Sequence, residues 1–331
     1  MIRFGILGFG LHAVRRLMPG FADAKQCTVT GLWRRDPQKA QEAIRQYPKF
    51  ALQIYETADA LCASPEIDAI FVASPDALHL EHVLTAVRHR KPVLCEKPMA
   101  MNAREAAQMV EAAEKAGVLL GIAHNFRFEQ SVNRMRDAIS SGAFGRPLLA
   151  RSEFHYFMRH HPRKWLKDPA LACGGPVGDV AVHGIDALRY ILQDEVGSVF
   201  ARALFDDDSG AVEAAAIVLL EFSRGTIADV TVSTRAEYRT PLWITCEGGM
   251  IGAEDALTVD HAVDVQTKAI AGEAKTERVL NNRTYSDQVD AFAMAVQQGT
   301  AFAIPGREGF INQEILDAAY TSIKTGQRVQ L

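Results

Sequence analysis

Ile2-Arg3-Phe4-Gly5-Ile6-Leu7-Gly8-Phe9-Gly10-Leu11-His12-Ala13 is the stretch from which the fold is read. Ile2–Leu7 is a short apolar run of strand type. The turn after it has the spacing G-x-G-x-x-A, and residues 14–21 then carry a helical pattern, with Val14, Leu17, Met18 and Phe21 on one face. Strand, glycine turn and helix in that order form the context in which this spacing has a physical meaning. The glycines let backbone approach a pyrophosphate, the helix N-terminus supplies N–H donors, and a small third residue lets helix and strand pack. Gly8, Phe9, Gly10 and Leu11 are therefore candidate dinucleotide-binding residues.

A second strand, Cys27–Trp33, ends in Arg34-Arg35-Asp36-Pro37. A carboxylate at this strand end holds the ribose 2′-hydroxyl in NAD-binding units. Here the nearest side chain is Arg34, and Asp36 before Pro37 reads as the cap of the next helix. Arg34 and Arg35 suit a 2′-phosphate, so NADP is expected in preference to NAD. The alternation continues through strands at 51–55, 67–73, 93–95 and 118–123 and helices at 57–62, 77–90 and 102–117. Repeated βα units of this kind predict a doubly wound parallel sheet with helices on both faces.

Past His124 the pattern changes. An amphipathic helix at 130–140 is followed by strand-like runs at 145–157, 199–204, 214–222, 226–234 and 242–246. Turns such as Ser223-Arg224-Gly225 and Glu247-Gly248-Gly249 link them, which predicts hairpins in an open, mostly antiparallel sheet. One helix interrupts this half at 178–192, and helices at 286–298 and 310–325 close the chain. The expected division is residues 1–123 and 124–331, an α/β domain followed by an α+β domain.

The bulk numbers agree with two ordinary globular domains: 331 residues, 48% hydrophobic, net charge −4. That charge offers nothing to a nucleic acid backbone. The longest basic cluster, Arg159-His160-His161-Pro162-Arg163-Lys164, reads as an exposed loop. Five scattered cysteines without CxxC spacing argue against a disulfide framework and against a structural metal. No apolar run approaches the ~20 residues of a membrane span, and Met1–Gly10 lacks the form of a signal peptide. A cytoplasmic location is expected.

Two stretches carry chemistry. Val93-Leu94-Cys95-Glu96-Lys97-Pro98 is a buried strand ending abruptly in a charged pair. A lysine restrained by a following proline at such an end is a candidate acid/base. Cys173-Gly174-Gly175-Pro176-Val177-Gly178 is a bend into a helix that carries Asp179 and His183 at i and i+4. A carboxylate so placed can orient an imidazole and fix its tautomer.

These pieces together resemble the Gfo/Idh/MocA oxidoreductase family. The likeness rests on Gly8–Ala13, Ser74-Pro75 followed by His79, Cys95-Glu96-Lys97-Pro98, and Asn125-Phe126-Arg127-Phe128. It extends to Ser141–Gly145, the Gly174-Gly175 element through Asp179 and His183, and the tail Ala318-Ala319-Tyr320-Thr321-Ser322 with Thr325-Gly326. The chain departs from the family pattern at Cys173, where many relatives have a third glycine, and at Leu166 after Trp165. The resemblance implies a Rossmann domain and a second domain whose open sheet often forms a dimer surface. It also implies a nicotinamide cofactor, a catalytic Lys97 in a peptide to Pro98 that tends to be cis, and acid/base or substrate roles for Asp179 and His183.

Ser74, Pro75, His79, Glu96, Lys97 and Asn125 are expected on the cofactor side. The expected reaction moves hydride between NADP and a secondary alcohol of a sugar, cyclitol or related diol. His183, oriented by Asp179, takes the hydroxyl proton while Lys97 stabilises the oxygen, and the roles of Lys97 and His183 are interchangeable at this stage. The rival readings are a non-catalytic NADP and sugar sensor, a nicotinamide-dependent glycoside hydrolase, and a reductase of unsaturated substrates. A homodimer or homotetramer is expected.

Overall fold

The computed structural model describes residues 1–158 and 162–331. Arg159, His160 and His161 of the basic cluster therefore lie outside the described residues. The chain forms two compact units, Met1–His124 with Tyr285–Gln313, and Asn125–Thr284 with Glu314–Leu331.

The first unit holds a six-stranded sheet in the order β3-β2-β1-β4-β5-β6. Its strands are β1 (Ile2–Leu7), β2 (Cys27–Trp33), β3 (Gln53–Ile54), β4 (Ala69–Val72), β5 (Val93–Cys95) and β6 (Leu120–Ile122). All neighbouring pairs are parallel. Every residue of β4 and β5 is buried, as a strand covered on both faces requires. The helices are α1 (Met18–Asp23), α2 (Pro37–Ile44), α3 (Ala58–Ala63), α4 (His79–Arg88) and α5 (Ala103–Ala116). Their starts follow from local chemistry. Asp36 accepts from Lys39 N at 3.1 Å, Thr57 from Ala60 N at 2.9 Å, and Asn102 from Glu105 N at 3.0 Å, each satisfying an otherwise orphaned amide. The helix expected over 14–21 instead starts with a π turn, Ala13–Leu17, before α1.

The second unit contains α6 (Gln130–Ser140), β7 (Pro147–Phe157), α7 (Val182–Leu192), β8 (Val196–Leu204), β9 (Ala215–Phe222) and β10 (Ile227–Ser233). It continues through β11 (Arg235–Arg239), β12 (Leu242–Cys246), β13 (Gly249–Ala253), β14 (His261–Ala269) and β15 (Ala274–Asn281). The chain then runs through α8 (Thr284–Gln298), α9 (Gly306–Thr325) and β16 (Val329–Gln330). The ten-stranded sheet runs β15-β14-β13-β12-β7-β10-β9-β8-β16, with β11 on β7. Pairing is antiparallel except between β7 and β10, which run parallel because α7, β8 and β9 intervene in sequence. Gly184 lets α7 sit on the inner sheet face, where an added Cβ would lie 2.7 Å from Ser152 Oγ.

The return of Tyr285–Gln313 to the first unit was not anticipated from sequence order. Its cause is aromatic packing: Phe292 lies 6.1 Å from Phe4 and 5.2 Å from Phe302, extending a cluster in which Phe4 and Phe21 are 5.2 Å apart. All five cysteines are buried free thiols. Among the described residues no helix is long and apolar enough to cross a membrane.

Candidate active site

In the first unit the candidate residues gather at the carboxyl ends of β1, β4 and β5. The strand order reverses direction between β1 and β4, and such a switch point opens a crevice beyond the sheet. Gly8 adopts φ +88°, and a Cβ there would lie 2.4 Å from the N and Cα of Ser74. Only glycine allows the β1 turn to press against the β4 turn in this way. Gly10 is open by contrast, since an added Cβ would meet only the Gly8 oxygen at 3.9 Å. A close turn followed by an uncrowded glycine at the head of a helix fits a pyrophosphate. The side chain of Phe9 is fully buried, so only its backbone is available to a ligand.

Behind these turns lies a buried histidine. His79 Nε2 is 2.9 Å from the Ser74 carbonyl oxygen and Nδ1 is 3.0 Å from that of Pro98. Both ring nitrogens therefore face acceptors, and a neutral imidazole can donate only once. Burial opposes a charge on His79, but the Cys95 sulfur, the Asp76 carboxylate and the Ser74 carbonyl outweigh it and lift the group to about 10. The neighbouring His82, 2.9 Å from Ser74 Oγ, is pushed the other way, to about 4, by burial, by His79 and by Arg35. His79 has no exposed surface, which corrects the expectation of direct cofactor contact. It stands behind the Ser74 and Lys97–Pro98 turns and joins them.

Lys97 is half-buried, and its peptide to Pro98 is cis, the form the resemblance implies. The Glu96 carboxylate accepts from His12 Nε2 at 2.9 Å and from Lys97 N at 3.3 Å. Burial would raise the Glu96 carboxyl, but His12, Lys97 and His79 outweigh it and hold it below the usual range. The glycine turn and the lysine strand end are thus tied by a side-chain pair, and the partner residue, His12, was not singled out in the sequence. At the end of β2, Arg35 is exposed and Arg34 Nη1 donates to the Lys39 carbonyl at 3.3 Å. The Asp36 carboxylate is committed to capping α2.

In the second unit a π turn, Val177–Ala181, carries Asp179 and leads into α7, which carries His183. Short π segments recur at functional sites because they re-aim side chains. Asp179 accepts from the Tyr156 hydroxyl at 2.6 Å. Burial, and then Asp179 itself, push the Tyr156 phenol well above its ordinary value, so it stays protonated and donates. The His183 ring is buried, edge-on to Phe126 at 4.6 Å and stacked with Phe154 at 5.9 Å. Arg127 makes a bidentate pair with Asp186 at 2.9 and 2.7 Å, tying the Asn125–Phe128 turn to α7. Asn125 is buried in that turn and belongs to the second unit.

A small pocket opens beside Asp179, lined by Tyr156, Gly175, Glu213, Thr234 and Arg235 among others. Tyr156, Phe154 and Glu213 carry no local motif, since each acts through a partner distant in sequence. Among the described residues no cluster of three His, Cys, Asp or Glu side chains is placed to hold a metal.

Comparison with known proteins gives the same frame. The family described as "Oxidoreductase family, NAD-binding Rossmann fold" matches residues 2–124, and the "GFO/IDH/MocA C-terminal domain" matches residues 132–252. The chain is 31% identical over 280 residues to a 1,5-anhydro-D-fructose reductase of Ensifer adhaerens, covering 82% of each. It is 29% identical to D-xylose 1-dehydrogenase (NADP(+)) 2 of Haloferax volcanii, covering 99% of each. The crystal structure of aldose-aldose oxidoreductase from Caulobacter crescentus superposes with TM-score 0.91 at 25% identity, over 100% of this chain and 99% of that one. These matches cover the chain from its first strand into the second sheet, and the chain belongs to the Gfo/Idh/MocA oxidoreductase family.

Proposed function

We propose that this chain is a dehydrogenase or reductase that prefers NADP and works on a secondary alcohol, or the matching ketone, of a sugar, cyclitol or related diol. The observation that carries the reading is the switch point of the first sheet, where an open glycine turn, the Ser74 turn and Lys97 lie at the ends of neighbouring strands. The names of the curated relatives, a reductase of 1,5-anhydro-D-fructose and an NADP(+) dehydrogenase of D-xylose, support sugar substrates.

Gly8, Phe9, Gly10 and Leu11 would hold the pyrophosphate through backbone, and Arg34 and Arg35 the 2′-phosphate. The capping role of Asp36 supports NADP, because it removes the carboxylate that would otherwise reach a 2′-hydroxyl. Bound there, the nicotinamide supplies or accepts the hydride. The proton chemistry is assigned to Lys97 in the first unit and to Asp179 and His183 in the second. His183 accepts the hydroxyl proton in oxidation and returns it in reduction. The Asp179 carboxylate, fixed by Tyr156, favours the imidazolium that results. The Lys97 ammonium donates to the reacting oxygen and stabilises its developing charge.

A second copy of the chain is the expected partner, and buried free thiols suit a reducing cytoplasm. The test is a panel of D-xylose, D-glucose, 1,5-anhydro-D-fructose, myo-inositol and levoglucosan, followed by NADPH absorbance. Lys97→Met is expected to abolish turnover of the best substrate while NADPH binding persists. Wild-type turnover in that variant, or product formed without any absorbance change, would defeat the assignment.

A further inference from the structure

We propose that Glu213 and Tyr320 are positioning residues that clamp the start of the Asp179–His183 helix. The inference rests on the proton roles proposed above for that helix. A helix begins with amides that have no partner inside it. Here those amides are met from outside. Glu213 Oε2 accepts from Gly175 N at 3.0 Å, and Glu213 Oε1 accepts from Val177 N at 2.8 Å. Gly178 N donates to the Tyr320 hydroxyl oxygen at 3.1 Å, and that hydroxyl donates to Glu213 Oε1 at 3.1 Å. One carboxylate and one phenol therefore engage the amides of Gly175, Val177 and Gly178, just before Asp179.

Both groups are built in. Glu213 is buried, and burial beside its carboxylate pushes the Tyr320 phenol well above its ordinary value, so the phenol remains a donor. The glycine bend is shaped around them. Gly174 has φ +136°, and a Cβ there would lie 1.8 Å from the Tyr320 oxygen, while a Cβ on Gly175 would lie 2.2 Å from the Glu213 carbonyl oxygen. The paired glycines thus admit the clamp, which gives the Gly-Gly element a second purpose besides the turn. Tyr320 sits in the tail motif, whose Ser322 accepts from Ala201 N at 2.9 Å and so fixes α9 to β8. The tail supplies the phenol, and the strand edge before β9 supplies the carboxylate.

The consequence for function is aim. Glu213 and Asp179 line the same cavity, so loosening the bend moves one wall of it and the carboxylate that Tyr156 holds. Displacements on the scale of an ångström at a reacting group cost on the order of a hundredfold in rate. Tyr320→Phe removes a single oxygen, Glu213→Gln keeps one acceptor, and Glu213→Ala removes the clamp.

The measurement is steady-state turnover of the best substrate from the sugar and cyclitol panel, with NADPH binding followed separately by fluorescence. We expect kcat to fall about tenfold or more in Tyr320→Phe and in Glu213→Ala, with Glu213→Gln between Glu213→Ala and wild type. NADPH affinity should stay within about twofold, because the binding turn lies in the other unit. Loss of NADPH affinity in step with kcat would mark a general structural defect and overturn the proposal. Asp179→Asn and His183→Ala separate the two levels. If both are inactive while Tyr320→Phe and Glu213→Ala keep wild-type kcat, the clamp is overturned and the proton assignment stands. If Asp179→Asn and His183→Ala turn over normally, the proton assignment falls and the clamp with it. Should Glu213→Ala fail to fold, Tyr320→Phe decides.

Discussion

Replacing His79 by glutamine should change stability by an amount that depends on pH in a defined window. In the wild type both imidazole nitrogens face carbonyl oxygens, at 2.9 and 3.0 Å, and the group is lifted from 6.5 to about 10. The folded state therefore keeps a proton that the unfolded chain releases. The extra stability is complete below pH 6.5, drains at about 1.4 kcal/mol per pH unit above it, and is gone once pH passes about 10. The whole span corresponds to a few kcal/mol, the larger part of it lost between pH 6.5 and 9. Glutamine can donate to one carbonyl but carries no charge, so its contribution is flat across this range. The wild type should exceed His79→Gln most at pH 6, and the gap should close as pH rises.

Urea unfolding read by Trp33, in a Trp165→Phe, Trp243→Phe background, reports on the first unit, since the Trp33 ring packs edge-on to His82 at 5.3 Å. Nitrogen-15 spectra of the His79 ring give a direct check, because an imidazolium carries a proton on each nitrogen. A stability gap that stays constant from pH 6 to 9 would refute the argument. It would mean that one nitrogen faces a carbonyl as a bare lone pair.

Three further outcomes are expected. Arg34→Asp should move the ratio of specificity constants toward NAD by about tenfold or more, as loss of a charged contact to a 2′-phosphate implies, and an unchanged ratio would remove Arg34 from that role. Glu129 is pushed up to about 8 by burial, against a hydrogen bond from Thr284 and with help from Asp260, and its Oε2 is buried without a partner. A raised carboxyl makes wild-type stability fall as pH rises from 4.5 to about 8, so Glu129→Gln should gain about 3 kcal/mol on the wild type between pH 5.5 and 7.5; parallel urea curves would sink this. On the outer face of the second sheet, in-register pairing aligns Leu149 with Ile227 and Asp229 with Leu219, and Leu149, Ile217, Leu219 and Ile227 are all exposed. Leu219→Asp with Ile227→Asp should reduce the mass seen by light scattering to that of one chain, and an unchanged mass would exclude this face as the contact between copies.

Much of the fold was legible because its signals are local. The strand and turn at Ile2–Ala13, the caps Asp36, Thr57 and Asn102, and the helix bearing His183 each announce themselves within a few residues. What escaped depends on partners far away in sequence. β15 carries no strand signal because Ala274–Arg278 is exposed and largely polar, which is how an edge strand avoids pairing with another chain. The parallel contact of β7 with β10 cannot be seen from turns, because no turn joins them. The return of Tyr285–Gln313 depends on Phe292 meeting Phe4 across most of the chain. Among the candidate residues, Lys97, Asp179 and His183 were singled out in the sequence by residue type and place. Their supports, His12, Tyr156, Glu213 and the double hydrogen bonding of His79, were not, since a supporting residue is defined by what it touches.

Those supports follow one electrostatic rule. A strand that ends at a sheet edge leaves carbonyl oxygens pointing outward, and a helix that begins leaves amides. Behind the first turns the chain buries an imidazole, His79, with its two nitrogens against the carbonyls of Ser74 and Pro98. Behind the second it buries a group that accepts, Glu213, against the amides of Gly175 and Val177. In each case a glycine stands where the approach is tightest, Gly8 over Ser74 and Gly174 under Tyr320. Each buried side chain thus meets the half of the peptide group that its turn presents to it. That accounts for an imidazole behind the Lys97–Pro98 turn and a carboxylate before Asp179, without any appeal to the reaction itself.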